Sequence, residues 1–285
     1  MPYNAMKAMP GPAPDARFEL IIPGGWLSVR VCVLGSGSKG NCTLISTERT
    51  RLLVDAGFSK RAVYSRLAAV GERPDAINAL IISHEHVDHV SGLKSLALDL
   101  KAPVYITGAT REAIPWDSRL KAVETITAGE RFTIGDVTIS PFSIPHDAVD
   151  PVAFAFQAEG IKVGVITDLG YVPELVKQHA RGCHCLILES NHDLEMLKVG
   201  PYPWFVKQRV MSRQGHLSNR ATAEFLTEDY DGCAQVLVLA HLSEKNNHPG
   251  LAHFAATQAL EKRGSGRPAE LHLASQTEPT KVFQF

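Results

Sequence analysis

His84-Glu85-His86-Val87-Asp88-His89 sets three imidazoles and a central carboxylate within six residues. The apolar run 79–83 precedes it, and Leu93, Leu96, Ala97 and Leu100 follow at helical spacing, so the motif sits on a turn from strand to helix. Such a turn can aim its side chains at one point. His84 and His86, two apart, project to the same side while the chain is still extended, and Asp88 and His89, past the bend, face a second site. Neutral imidazole with carboxylate suits zinc, manganese or ferrous iron. A polar surface loop is the bland alternative. Against it stand the ligand density and three later residues in one shared context, each closing an apolar run where a cleft between strands would lie. These are His146 after 142–145, Asp168 after 163–167 and His241 after 236–240. Singly, each also reads as a capped strand end or a hydrogen-bonded core histidine.

Outward from the motif, short β-branched runs alternate with helical patterns. Residues 30–35, 41–46 and 51–55 read as strands joined by short polar or glycine-rich connections, the pattern of adjacent antiparallel strands. A helix follows, capped by Ser59, with Val63, Leu67 and Val70 at helical spacing before Gly71 stops it. Further strands are expected at 104–107, 137–144, 152–158, 162–167, 185–189 and 235–240, with a turn at Gly160. Helices are expected at 203–211, 219–227 and 250–262. Strands in both halves with helices beside them predict a layered α/β sandwich. Residues 1–27, rich in Pro, Gly and Ala, read as an extension ahead of one domain over 28–285.

Composition excludes several classes. A 285-residue chain that is 45% hydrophobic and 21% charged can bury a full core. With 29 basic against 30 acidic residues, no whole-molecule field draws it to nucleic acid or an anionic membrane, so polyanion binding must be local. No apolar stretch approaches the roughly 18 to 20 residues that span a bilayer, and 18–27 is broken by Pro23, Gly24 and Gly25, so neither a transmembrane helix nor a signal peptide is expected and the cytoplasm is the expected compartment. Cys32, Cys42, Cys183, Cys185 and Cys233 are odd in number, which argues for reduced, structural thiols. Cys183 and Cys185 bracket His184 and could bind metal, but no second pair stands at ligand spacing.

HxHxDH, then a lone His, an Asp and a late His resembles the motif series of the metallo-β-lactamase-fold hydrolases, over nearly everything after about residue 30. The resemblance implies a four-layer αββα sandwich. It implies that His84, His86 and His146 hold one divalent ion, that Asp88, His89 and His241 hold a second, and that Asp168 bridges them. Zinc and manganese both fit. Two such ions roughly 3.5 to 4 Å apart share a water, make it hydroxide near neutral pH and clamp the oxygens of an attacked phosphate or carbonyl.

The phrases 35–41 (GSGSKGN), 186–193 (LILESNHD), 213–219 (RQGHLSN) and 239–247 (LAHLSEKNN) resemble the YycJ, or WalJ, branch, which is associated with exonuclease action on DNA. By analogy with related phosphodiesterases, His216 oriented by Glu189 is the expected acid for the leaving oxygen; the alternative is that His216 caps the helix beginning near Ser218. Gly35, Gly37 and Gly40 satisfy G-x-G-x-x-G, but a strand and not a helix follows, so no nucleotide cofactor is expected. Backbone amides of that loop, with Ser38, Lys39 or Asn41, could touch a phosphate; a plain hairpin turn is the alternative. Five basic residues, Lys198, Lys207, Arg209, Arg213 and Arg220, occur in 198–220 with no Asp or Glu, and Tyr202, Trp204 and Phe205 are interleaved. That composition could grip a polyanion and stack a base, with Lys207, Arg209 and Arg213 as substrate contacts; a solvated helix with its aromatics in the core is the alternative. Hydrolysis of DNA is thus the leading expectation. A hydrolase of small esters, thioesters or nucleotide phosphodiesters and a non-catalytic metal-binding regulatory module are the alternatives.

Overall fold

The computed structural model describes residues 29–264 and 269–285, and the extension expected over 1–27 lies outside the described residues. Strands β1 (Arg30–Gly35), β2 (Cys42–Ser46) and β3 (Arg51–Val54) pair antiparallel, as their short connections predict. β4 (Ala79–Ile81), β5 (Val104–Thr107) and β6 (Val123–Ile126) extend the sheet in parallel. The second sheet holds β7 (Phe132–Ile134), β8 (Val137–Ser143), β9 (Val152–Ala158), β10 (Ile161–Ile166), β11 (Cys185–Glu189), β12 (Val236–Ala240) and β13 (Glu270–Leu273) in reverse spatial order. β14 (Phe283–Gln284) closes the first sheet beside β1, giving two sheets of seven strands.

Alternation along the strands builds four layers. On β1, Val31 and Val33 point into the core between the sheets, where Phe154, Phe156, Val165 and Ile187 meet them. Cys32 and Leu34 point the other way, against Val63 and Leu67 of helix α1 (Lys60–Ala69) and, beyond the short α2 (Val87–Val90), Leu93 and Leu96 of α3 (Leu93–Leu100). α4 (Gly108–Ala113) follows β5. On the second sheet, Leu186 and Leu188 face away from the core, toward Val176 of α5 (Glu174–Ala180). After α6 (Leu194–Val199) and α7 (Trp204–Val210), Phe225 of α8 (Asn219–Glu228) and Ala256 of α9 (Pro249–Arg263) complete that outer layer. Central strands are apolar on both faces, which is why they read as continuous runs. This is the four-layer α/β sandwich of the metallo-β-lactamase fold.

The expected helices start and end within a residue or so of the observed ones, and Ser59 Oγ accepts from Ala62 N at the start of α1. The turn at Gly160 has positive φ there (82°) and at Glu159 (54°), the geometry of a tight hairpin. β4 ends at Ile81, short of the expected Ser83, because Ser83 and His84 leave the ladder to enter the metal motif. β6, β7, β13 and β14, at or beside the sheet edges, were not expected: they are short and partly exposed, so burial imposes little pattern on them. No described helix is long and apolar enough to cross a membrane.

Candidate metal centre

Three strand ends turn polar side chains toward the cleft by the same local device. Asp55 after β3, Asp168 just beyond β10 and His241 after β12 all adopt left-handed backbone, with φ of 62°, 64° and 57°. Asp and His tolerate this region better than branched residues, and such strain persists where surroundings over-determine it. The turn swings each side chain out of its sheet toward the cleft between the two sheets' ends. The 84–89 motif reaches the same place from the first sheet. It docks by backbone contact on the residue before β2 and on the segment after β3: Asn41 N donates to Asp88 O at 2.8 Å and Ala56 N to His89 O at 2.8 Å. Gly57 is required there, since a Cβ would lie 1.7 Å from Asp88 O.

The side chains gather into overlapping groups whose donor atoms lie within 4.8 Å of one another: His84, His86 and His146; His84, His89 and Asp168; Asp88, His89 and His241; and Asp168, Glu189, His216 and His241. His146 Nε2 stands 3.2 Å from His86 Nδ1, and Asp88 Oδ2 is 3.3 Å from His241 Nε2 and 3.5 Å from His89 Nε2. Asp168 is central: Oδ1 is 3.1 Å from His241 Nδ1 and Oδ2 is 3.4 Å from His89 Nε2. His84 Nε2 and Asp168 Oδ2 are buried and take no aligned hydrogen bond from any protein group. Leaving such atoms unpaired costs about 1 to 3 kcal/mol each, so the donor set fits cations.

A second ring of contacts sets the orientation of the imidazoles. His89 Nδ1 donates to Asp55 Oδ2 at 2.9 Å, and Ser83 Oγ bridges Asp55 and His84 Nδ1. His146 Nδ1 donates to Gly215 O at 3.2 Å. Glu189, fully buried, takes His216 Nδ1 and His241 Nδ1 on Oε1, both at 2.8 Å, while its Oε2 accepts from Leu169 N and Leu217 N. Burial, then the nearby His89, holds the His84 imidazole well below its ordinary pKa. Burial would also depress His89 and His241, but the Asp168 carboxylate foremost outweighs it and raises both well above the ordinary value. Burial would raise Asp168, and His241 with His89 outweigh it and hold that carboxyl well below the usual range.

The seven expected ligands thus converge, and Glu189 with His216 lies against them. Helix α8 is capped by Ser218 Oγ, which accepts from Ala221 N, so the capping alternative for His216 falls. His216 instead lines a cleft of about 360 Å³ together with Ser38, Val87, Asp147, Tyr202, Arg209 and Asn246.

Two expected substrate contacts, Lys207 and Asn41, are corrected. Lys207 is buried, with Nζ donating to Lys198 O at 2.7 Å. Asn41 is consumed inside the motif: its Oδ1 accepts from Ser36 Oγ and Gly37 N, and its Nδ2 faces Asp88 and His89. The 35–41 loop offers little for a phosphate, since the amides of Ser36, Gly37, Lys39 and Gly40 are all engaged within the protein. Lys39 pairs with Glu244 at 2.7 Å, and Arg213 lies over the Tyr171 ring at 4.0 Å. Ser38 and Arg209 do line the cleft, with Arg209 paired to Asp147. Trp204 and Phe205 are exposed, not in the core. Cys183 and Cys185 are buried and belong to no metal-holding group among the described residues, and His184 Nδ1 accepts from Lys162 N. Asp55 was missed as a site residue, although it closes an apolar strand as Asp168 and His241 do.

The β-lactamase superfamily domain matches residues 50–268. Over 265 residues the chain is 34% identical to a Bacillus anthracis protein named exodeoxyribonuclease YycJ, covering 90% of this chain and 99% of that one. It is 33% identical to exodeoxyribonuclease WalJ of Streptococcus pneumoniae, over 84% of this chain and 91% of that protein. Among solved structures, the metallo-β-lactamase fold protein YhfI from Bacillus subtilis superposes with a TM-score of 0.68 at 18% identity, over 91% of this chain and all (100%) of that one.

Proposed function

Since the chain belongs to the β-lactamase superfamily, we propose that it is a metal-dependent phosphodiesterase whose substrate is nucleic acid, with exonucleolytic cleavage of DNA the activity supported best. Residues 28–285 act as one hydrolase domain. His84, His86 and His146 would hold one divalent cation and Asp88, His89 and His241 a second, with Asp168 available to either, and zinc or manganese as candidates. The observation that carries this reading is the convergence of those seven side chains with His84 Nε2 and Asp168 Oδ2 buried and unpaired. Near full-length similarity to two named exodeoxyribonucleases supports the substrate class.

Divalent cations held there would supply Lewis acidity toward phosphoryl oxygens and lower the pKa of a water. The chain's own residues do the rest. Asp55 and Glu189 fix the tautomers of His89 and His241 by accepting from their Nδ1 atoms, which leaves each Nε2 turned to the centre. Glu189 fixes His216 in the same way, and a proton on its Nε2 can pass to the departing oxygen. Arg209 presents its guanidinium at the cleft wall, paired there with Asp147.

The test is metal analysis of the purified protein followed by incubation with end-labelled DNA, end-labelled RNA and a chromogenic phosphodiester, with Asp168→Ala as control. DNA hydrolysis that weakens as salt rises is expected. Turnover of esters alone, or no turnover in a fully metal-loaded protein, would sink the proposal.

A further inference from the structure

Segment 209–216 gathers three parts of the cleft. Gly215 O accepts from His146 Nδ1, and His216 N donates to Val210 O at 2.9 Å, so one stretch of chain braces a proposed metal ligand and carries the proposed acid. Gly215 is needed for this, since a Cβ there would lie 2.1 Å from Val210 O and 2.3 Å from Arg209 O. Arg209 enters the cleft from the start of the same stretch, in the last turn of α7, and its partner Asp147 directly follows His146.

The pairing leaves most of the guanidinium available. Arg209 donates through Nε to Asp147 Oδ2, while the buried Asp147 Oδ1 accepts no hydrogen bond, so the contact is side-on and not the two-pronged pair that would also occupy an Nη group. The Arg209 side chain is 59% exposed, against 24% for Asp147. Asp147 Oδ1 lies 3.5 Å from His146 Nε2, which sets the guanidinium one carboxylate away from a proposed ligand nitrogen. The hydrogen bond to Asp147 foremost, joined by the charge on Asp88, lifts Arg209 above its ordinary pKa against the effect of burial. Asp147 stands on a fixed base: Val149 N donates to Glu85 Oε1 at 2.8 Å and Val152 N to Ser83 O at 3.1 Å, tying its loop to the metal motif.

We propose that Arg209, held side-on by Asp147, clamps a non-bridging oxygen of the scissile phosphate, and that Asp147 is a positioning residue acting through it. The proposal rests on the phosphodiesterase reading and narrows its substrate to anionic diesters, since a neutral ester or thioester has no charged oxygen for the guanidinium to meet. An untethered arginine has to give up side-chain freedom when it grips a ligand. Asp147 takes that freedom away beforehand.

The metal-loaded enzyme is assayed on bis(4-nitrophenyl) phosphate, and its binding of inorganic phosphate is read by calorimetry. Arg209→Ala should lower kcat/KM and phosphate affinity by about 10- to 100-fold each, at unchanged metal content. Arg209→Lys should recover little, because an ammonium group held by Asp147 has no planar fork left to offer. Asp147→Asn should cause a smaller loss, and combined with Arg209→Ala it should be no worse than Arg209→Ala alone. Added guanidinium should restore part of the Arg209→Ala loss, and none of it in the Asp147→Asn background. Additive losses, or metal lost from Asp147→Asn, overturn the positioning role. Diester cleavage by the wild type with phosphate affinity unmoved in Arg209→Ala overturns the clamp and leaves the phosphodiesterase intact. Phosphate binding that depends on Arg209 in a metal-loaded protein that cleaves no diester supports the clamp and overturns the hydrolytic reading. Absence of both cleavage and phosphate binding overturns both.

Discussion

Glu189 Oε1 accepts from His216 Nδ1 at 2.8 Å, and the same oxygen holds His241 Nδ1 at 2.8 Å. One buried carboxylate therefore orients both the proposed acid and a proposed metal ligand, and the two roles can be separated by variants that strike one partner at a time.

His216→Ala should lower kcat by about 10²- to 10⁴-fold on a diester with a poor leaving group and far less on one releasing nitrophenolate, which needs no proton. Metal content should stay at the wild-type level. Equal losses on both leaving groups would remove His216 from the acid role.

Glu189→Gln should cost activity on both leaving groups and metal affinity together, because the negative charge behind His216 and His241 is lost and one end of the amide becomes a donor, facing either the two imidazole N–H groups or Leu169 N and Leu217 N. Asp55→Ala should weaken metal binding by about 10- to 100-fold through His89, while His216 keeps its partner. Competition with a chelator measures both, and unchanged affinity in Asp55→Ala would mean that His89 needs no such partner.

Metal loading at neutral pH should release protons. In the metal-free protein the Asp168 carboxylate holds His89 and His241 well above their ordinary pKa, so both keep protons that a cation must displace. Titration calorimetry in buffers of different ionisation enthalpy reads the release directly, and a buffer-independent heat would contradict it. The signs also set a stability window for the metal-free form. The raised histidines contribute fully below about pH 6.5 and lose that contribution as pH rises through their folded pKa values. The depressed carboxyls Asp88 and Asp168 contribute above about pH 4 and lose it as pH falls further.

Gly57→Ala should destabilise the fold by several kcal/mol and strip metal, since the new methyl group must displace Asp88 O and with it the 84–89 turn. Denaturant unfolding and metal analysis of the same sample check this. A stable, metal-replete variant would show that the turn can slide.

Much of this was legible because the chemistry is concentrated. Four proposed ligand side chains share six residues, and the remaining three each follow an apolar run that reads as a buried strand. Asp55 escaped notice for lack of contrast: an Asp after a strand looks like any capped end until its partner His89, 34 positions away, is known to lie 2.9 Å off. Lys207 was misjudged for the opposite reason. Counting charges along a segment says nothing about which side of a one- or two-turn helix points inward, and its ammonium group caps the α6 end at Lys198 O. The loop at 35–41 looked like a phosphate cradle because sequence shows where glycines permit an anion nest but not that Asn41 and Gln276 have already claimed its amides.

The left-handed backbone at Asp55, Asp168 and His241 also limits what this scaffold can become. A β-branched replacement at any of these pivots has to distort the main chain as well as lose a polar group, so the backbone narrows which residues can stand there. Residues 200–203, by contrast, join α6 to α7 between exposed Val199 on one side and exposed Trp204 and Phe205 on the other, and carry none of the pivots. Sequence change can therefore be absorbed in that bridge, with the reactive heart left as it stands.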